Sequence, residues 1–177
     1  MWLYIILGVL VVFITICVSL YVINYNRFQV TIIKISEAEE NITTLLKSKY
    51  ELLVKIGKFV KKKTKETTYD ELDNIKVDEL NTFELNSELS KYDKNITELV
   101  DFTKDIKFEN KELKVFDELS SVNNDLVAAI KYYNDNVVVF NNLEACFPSN
   151  IIAKIKKYKH KEFYSNEKEE IFEILKS

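Results

Sequence analysis

The sequence predicts an all-α protein: an N-terminal transmembrane helix that continues into an antiparallel bundle of three long helices, followed by short C-terminal helical pieces. Three observations lead there. Residues 1–23 carry no charged side chain. The 177 residues include only 2 Gly and 1 Pro, too few for the tight turns of sandwiches, barrels and phosphate-cradling loops. Beyond the first segment, apolar residues recur at alternating spacings of three and four, the period of a helix seam.

Residues 1–23 are long enough to span a bilayer core, which takes ~20 apolar residues at 1.5 Å rise. Trp2, Tyr4 and Tyr21 lie near its two ends, where amphipathic rings favour the interface. Thr15 and Ser19 can bond back to the helix backbone. A cleaved signal peptide would carry a basic start and a small-x-small site, and neither is present. The first basic residues, Arg27 and Lys34, follow the span. Positive charge stays on the cytoplasmic side, so the N-terminus is expected outside. Residues 1–24 are then the anchor and 25–177 a cytoplasmic helical domain.

The first long helix is expected to run unbroken to about Lys63, with Phe28, Ile35, Ala38, Ile42, Leu45, Leu52, Ile56 and Phe59 as its seam and Lys49 in one seam slot. The basic run 61–65 ends the seam and predicts the first turn. A second stretch covers residues 69–106, and its spacing slips between Leu80 and Leu85, which predicts a bend. A connection at 107–112 leads to a third seam of Phe116, Leu119, Asn123, Leu126, Ile130, Tyr133, Val137, Phe140 and Phe147. Phe147 and Pro148 end that helix, because proline disfavours helix geometry in the residue before it. A short helix over 151–158, an extended piece at 163–165 and a last helix over 167–176 complete the expectation.

Charge is nearly balanced, 25 Lys+Arg against 28 Asp+Glu for a net of -3. That argues against a nucleic-acid binder, so no nucleic acid is expected as partner. With 2 Cys and 1 His, neither a disulfide framework nor a four-thiolate zinc site is expected. No catalytic residue, metal or cofactor is expected.

Several segments share the order and spacing of a known family. They are Tyr25-Asn26-Arg27-Phe28 after the span, Glu37-Ala38, Ile42, Leu46 and Lys49-Tyr50-Glu51-Leu52-Leu53. Later come Tyr133-Asn134, Phe140-Asn141 and Phe147-Pro148-Ser149-Asn150-Ile151-Ile152-Ala153. Together they resemble the LemA family of bacterial single-span membrane proteins. The resemblance implies a helical-bundle cytoplasmic domain with no general enzymatic activity. Lys49 and Glu51 stand where that family usually has Arg and Asp, and Val54 and Lys55 where it has Pro and Asn.

The candidate sites are modest. A structural polar core is expected from Asn26, Glu37, Lys49, Glu51, Asn123, Tyr133, Asn134 and Asn141. A seam lysine needs a partner or must snorkel to water. With the first and third helices taken to run in the same direction, Lys49 is expected level with Tyr133, Asn134 and Asp135. Asn134 and Asn141 are seven apart and share a helix face. Lys61, Lys62 and Lys63, with Lys154, Lys156 and Lys157, read either as solvated helix ends with lysine near the C-terminal dipole or as one basic patch at the membrane-distal end. The reading that follows is a membrane-anchored, non-enzymatic interaction or scaffold protein, with membrane lipid and a partner protein or second copy as partners. The alternatives are a sensor holding a small ligand between helices, marked by a polar cavity beside Lys49 and Asn134, and a hydrolase, which would need a nucleophile beside a base.

Overall fold

The computed structural model describes residues 1–64, 70–102 and 109–164. The expected last helix over 167–176 and Lys65, the last residue of the expected first turn, lie outside them. Four α-helices follow one another with no strand among the described residues: α1 Trp2–Thr64, α2 Thr82–Phe102, α3 Asn110–Ala145 and α4 Ser149–Lys156, with a short 3-10 turn at Asp70–Asn74 between the first two.

Helix α1 is 63 residues long and unbroken. Its first stretch is long and apolar enough to cross a membrane, and none of its most apolar window is buried. The polar side chains in and just after that stretch satisfy themselves within the helix. Thr15 Oγ1 donates to the Val11 carbonyl at 2.9 Å, Ser19 Oγ to that of Thr15 at 2.8 Å, and Asn24 Nδ2 to that of Leu20 at 2.8 Å. Such back-bonding removes the cost of a polar group in an apolar medium. Tyr21 and Tyr25 stack one turn apart, ring centroids 6.1 Å, where the apolar stretch ends.

The chain forms two compact units, whose boundaries cut across α1 and α3. One comprises Met1–Glu37 and the chain from Tyr132 onward; the other is Ala38–Lys131.

In the second unit, α1 buries Ala38, Ile42, Leu46, Lys49, Leu53, Ile56 and Val60. The line departs from the expected seam at Leu45 and Phe59, which are half-buried. Between Ala38 and Leu46 the buried positions step four and four, not four and three. A straight helix drifts about 20° per heptad against a strict seven-residue repeat, and an extra step of four restores the facing side. Lys49 stays on the buried line.

The slip between Leu80 and Leu85 is a true break. Residues 75–81 leave the helix, and α2 starts anew at a capping box. The Asn81 side-chain oxygen accepts from the Glu84 N–H at 2.9 Å, while the Glu84 carboxylate accepts from the Asn81 N–H at 3.1 Å. Two of the amides orphaned at a helix start are thereby satisfied. Leu72, Leu85, Leu89 and Tyr92 supply this segment's buried side chains. Tyr50 fixes the turn by donating its hydroxyl to the Leu72 carbonyl at 3.3 Å.

Helix α3 opens with Glu112 accepting the Glu109 N–H at 2.7 Å. Its seam is buried at Leu119 and Leu126 in the second unit and at Tyr133, Val137 and Phe140 in the first. Phe116 and Ile130 are half-buried. Phe147 corrects the expectation for the seam: it is 80 % exposed, because α3 stops at Ala145 and the chain turns before reaching that slot. Pro148 then precedes α4, across a cis peptide bond after Phe147.

Helix α4 ends in a Schellman motif. The Tyr158 N–H reaches the Ala153 carbonyl at 2.9 Å and the Lys157 N–H that of Lys154 at 3.3 Å. Lys157 takes the left-handed conformation, φ 56°, where glycine would be unstrained.

Candidate functional site

The most developed polar arrangement lies in the first unit, where α3 holds the chain that follows α4. Asn141 and Asn134 sit two helical turns apart, about 10.5 Å along the axis. Three extended residues cover about 10 Å. The two asparagines therefore match the chain from Lys161 to Tyr164. The Asn141 carboxamide donates Nδ2–H to the Lys161 carbonyl at 3.0 Å and accepts the Lys161 N–H at 2.9 Å. That is the donor–acceptor pair a neighbouring strand would offer. Asn134 Oδ1 accepts the Tyr164 N–H at 3.0 Å. Tyr133 donates its hydroxyl to the Glu162 carbonyl at 3.3 Å.

Apolar contacts surround this clamp. Tyr164 is 2 % exposed and meets Tyr133 edge-on, ring centroids 5.0 Å. Phe140 meets Phe28 edge-on at 5.6 Å, and Tyr158 tilts against both rings at 5.0 and 5.8 Å. Gln29 donates Nε2–H to the Tyr158 hydroxyl at 3.0 Å. The Lys161 ammonium lies over the Phe140 ring at 5.6 Å. Buried carboxamides are costly unless bonded, and here backbone groups of an otherwise irregular segment bond them. The arrangement is a structural clamp that fixes the chain after α4 against α3.

The expected membrane-distal basic patch is corrected by the same contacts. Lys61, Lys62 and Lys63 belong to the second unit, while Lys154, Lys156 and Lys157 belong to the first. The Lys156 ammonium lies over the Tyr25 ring at 5.3 Å. Together with the Phe28 and Gln29 contacts of Tyr158, this places the C-terminal basic run beside the end of the apolar stretch. The cause is that the end of α3, at Phe140, packs against Phe28 near the start of the packed part of α1.

A shared direction for α1 and α3 fails in the second unit as well. Lys63, in the last turn of α1, forms an ion pair with Glu112, in the first turn of α3. Glu112 is held below the usual carboxylate range, first by the hydrogen bond from Lys63 and then by the Glu109 N–H. Lys49 is buried in this unit, whereas Tyr133, Asn134 and Asp135 belong to the other, and Asp135 is exposed.

Of the residues expected to form a polar core, Lys49, Tyr133, Asn134 and Asn141 are buried and Asn123 is half-buried. Asn26, Glu37 and Glu51 are exposed. Glu37 and Glu51 each precede a buried residue, Ala38 and Leu52, and one residue turns a helix side chain by about 100°. Around the expected anchor, Trp2, Tyr4, Tyr21 and Arg27 are exposed. Cys17 and Cys146 are exposed thiols, and His160 stands 3.5 Å from Glu144 at the surface. Among the described residues, no group of His, Cys, Asp or Glu is placed to hold a metal ion.

Sequence reasoning placed Asn134 and Asn141 on one face but missed what they hold, since a backbone carbonyl or amide has no residue signature. Tyr158 and Tyr164 carried a usable signal. They are large aromatic residues in a lysine-rich stretch, spaced to face α3 from an extended chain.

Comparison with known proteins adds one match. The model of the LemA family fits residues 38–174. No curated protein matches the chain.

Proposed function

The chain belongs to the LemA family, and from that premise we propose that it is a single-span, membrane-anchored interaction protein that acts without catalysis. Its helical domain lies at the cytoplasmic face, where it engages a partner protein or a second copy of itself. One observation carries the reading: the uncharged start of α1 is exposed along its length and continues without a break into a packed helix. An apolar surface of that length is unfavourable in water and favourable in lipid. Arg27 and Lys34 after the span support the orientation.

Fractionation tests the anchor. The full-length protein should stay with membranes through high-salt and alkaline washes, and release into the wash would overturn the reading. Thiol labelling tests the orientation. In a Cys17→Ser variant, the exposed Cys146 should resist an impermeant maleimide in intact cells and react after lysis. Labelling of intact cells would reverse the orientation. Co-purification from solubilised membranes should recover a stoichiometric partner or a homo-oligomer.

A further inference from the structure

We infer that α4 and its flanks form an interfacial docking surface for anionic lipid headgroups, held against the same membrane that carries the span. The inference rests on the proposed anchoring and adds a second membrane contact to it.

Helix α4 has two apolar faces, and only one is used inside the fold. Ser149, Ile152 and Ala153 are buried. Phe147 stands in the turn before α4, ahead of the cis peptide bond, while Ile151 and Ile155, four apart, share one side of the helix. The three are 80, 50 and 63 % exposed. Lys154, Lys156, Lys157 and Lys159 are exposed around them. An apolar strip rimmed by lysines is the composition of a helix that lies in the plane of a headgroup layer. A solvated helix end would need the lysines but not the strip.

Position supplies the second argument. The Lys156 ammonium lies over the Tyr25 ring, and Tyr25 is two residues beyond the end of the uncharged stretch. Two residues of helix rise about 3 Å, so α4 stands at the level where lipid tails give way to headgroups. Phe28 and Gln29 hold Tyr158 at that level, so the placement does not depend on the lysine alone. Exposed Arg27 adds a further positive charge there. Anionic headgroups attract lysine and arginine clustered beside a span, and the strip would enter the boundary between headgroups and tails.

The test uses the full-length protein in nanodiscs with one chain per disc. An Ile155→Trp change in a Trp2→Phe background puts the only tryptophan on the strip, at a position exposed enough to accept it. In discs containing about one third phosphatidylglycerol, its emission should shift to the blue. Aqueous acrylamide should quench it several-fold less than in purely phosphatidylcholine discs, and brominated lipid should quench it. Lys154→Glu with Lys159→Glu should abolish the difference between the two lipids. Water-exposed emission in both kinds of disc, with the protein incorporated, overturns the docking surface and leaves the anchor standing. Failure to incorporate at all overturns the anchor, and the docking surface with it. Protection that follows the number of chains per disc rather than lipid charge overturns lipid docking and assigns the strip to a second copy.

Discussion

Lys49 is 2 % exposed, so its ammonium does not reach solvent by snorkelling along the surface. A buried cation is tolerated only where acceptors replace its hydration. Removing the charge strands those acceptors. Lys49→Met, similar in volume, should therefore destabilise the full-length protein in detergent by about 3–5 kcal/mol. Denaturant unfolding measures it, and a loss under about 1 kcal/mol would reduce Lys49 to an amphipathic filler. Lys157 works in the opposite sense. Its left-handed φ costs a side chain about 1 kcal/mol relative to glycine. Lys157→Gly should raise stability by up to about that amount, provided the Schellman bonds of Tyr158 and Lys157 persist. An unchanged or lowered midpoint would mean that the lysine side chain itself contributes at that position.

Among the elements, α2 owes its start to two residues, Asn81 and Glu84. Asn81→Ala removes the acceptor for the Glu84 N–H and should cost about 1 kcal/mol, measured by unfolding monitored through helical circular dichroism. Helix α3 depends on its core rings. Phe140 is buried against Phe28 and Tyr158, whereas Phe116 is half-buried. Phe140→Ala should cost roughly 3–5 kcal/mol, and Phe116→Ala clearly less; equal losses would contradict the burial of α3. These elements also divide what the sequence discloses from what it conceals. Helix α1 and its end at Thr64 were legible, because an uncharged run, a seam and a lysine cluster each leave a residue pattern. The break before α2 showed as a slipped spacing, although the Asn81–Glu84 box that causes it was overlooked. The clamp was half legible: its asparagines have a spacing, but Lys161 and Tyr164 enter through backbone atoms. The C-cap of α4 was hidden, since the left-handed position holds a lysine where the usual signal is glycine. Direction went wrong for a different reason, because alternating up-and-down bookkeeping counts helices and ignores how far each one travels.

At the scale of the whole molecule, the Lys63–Glu112 pair ties the end of α1 to the beginning of α3. Folding lowers the Glu112 pKa. A group of this kind contributes stability above its unfolded pKa, about 4.3 for a glutamate. The contribution is lost as pH falls through the lowered folded value. Glu112→Gln should therefore melt at a lower temperature than the parent protein at neutral pH, with the two converging as the solution is acidified below the carboxylate range. Thermal melts of the full-length protein across that range decide it. A gap that stays constant with pH would mean that the glutamate contributes by packing and not by charge.

The unbroken passage of α1 from its apolar stretch into the packed region has a mechanical consequence. Within the first unit α1 is continuous helix, and no hinge separates Ile23 from Phe28. On the proposed anchoring, the azimuth of the span in the bilayer dictates the azimuth of the cluster of Phe28, Phe140 and Tyr158, much as a key's bow dictates the angle of its bit. One alanine inserted between Ile23 and Asn24 would rotate that cluster by about 100° relative to the lipid-facing side. It would also carry α4 out of phase with the membrane surface. Four inserted alanines bring the rotation back to within about 40° of its starting phase while lengthening the helix by about 6 Å. A partner that reads orientation would be lost with one insertion and largely recovered with four, whereas a partner that reads distance alone would show the reverse.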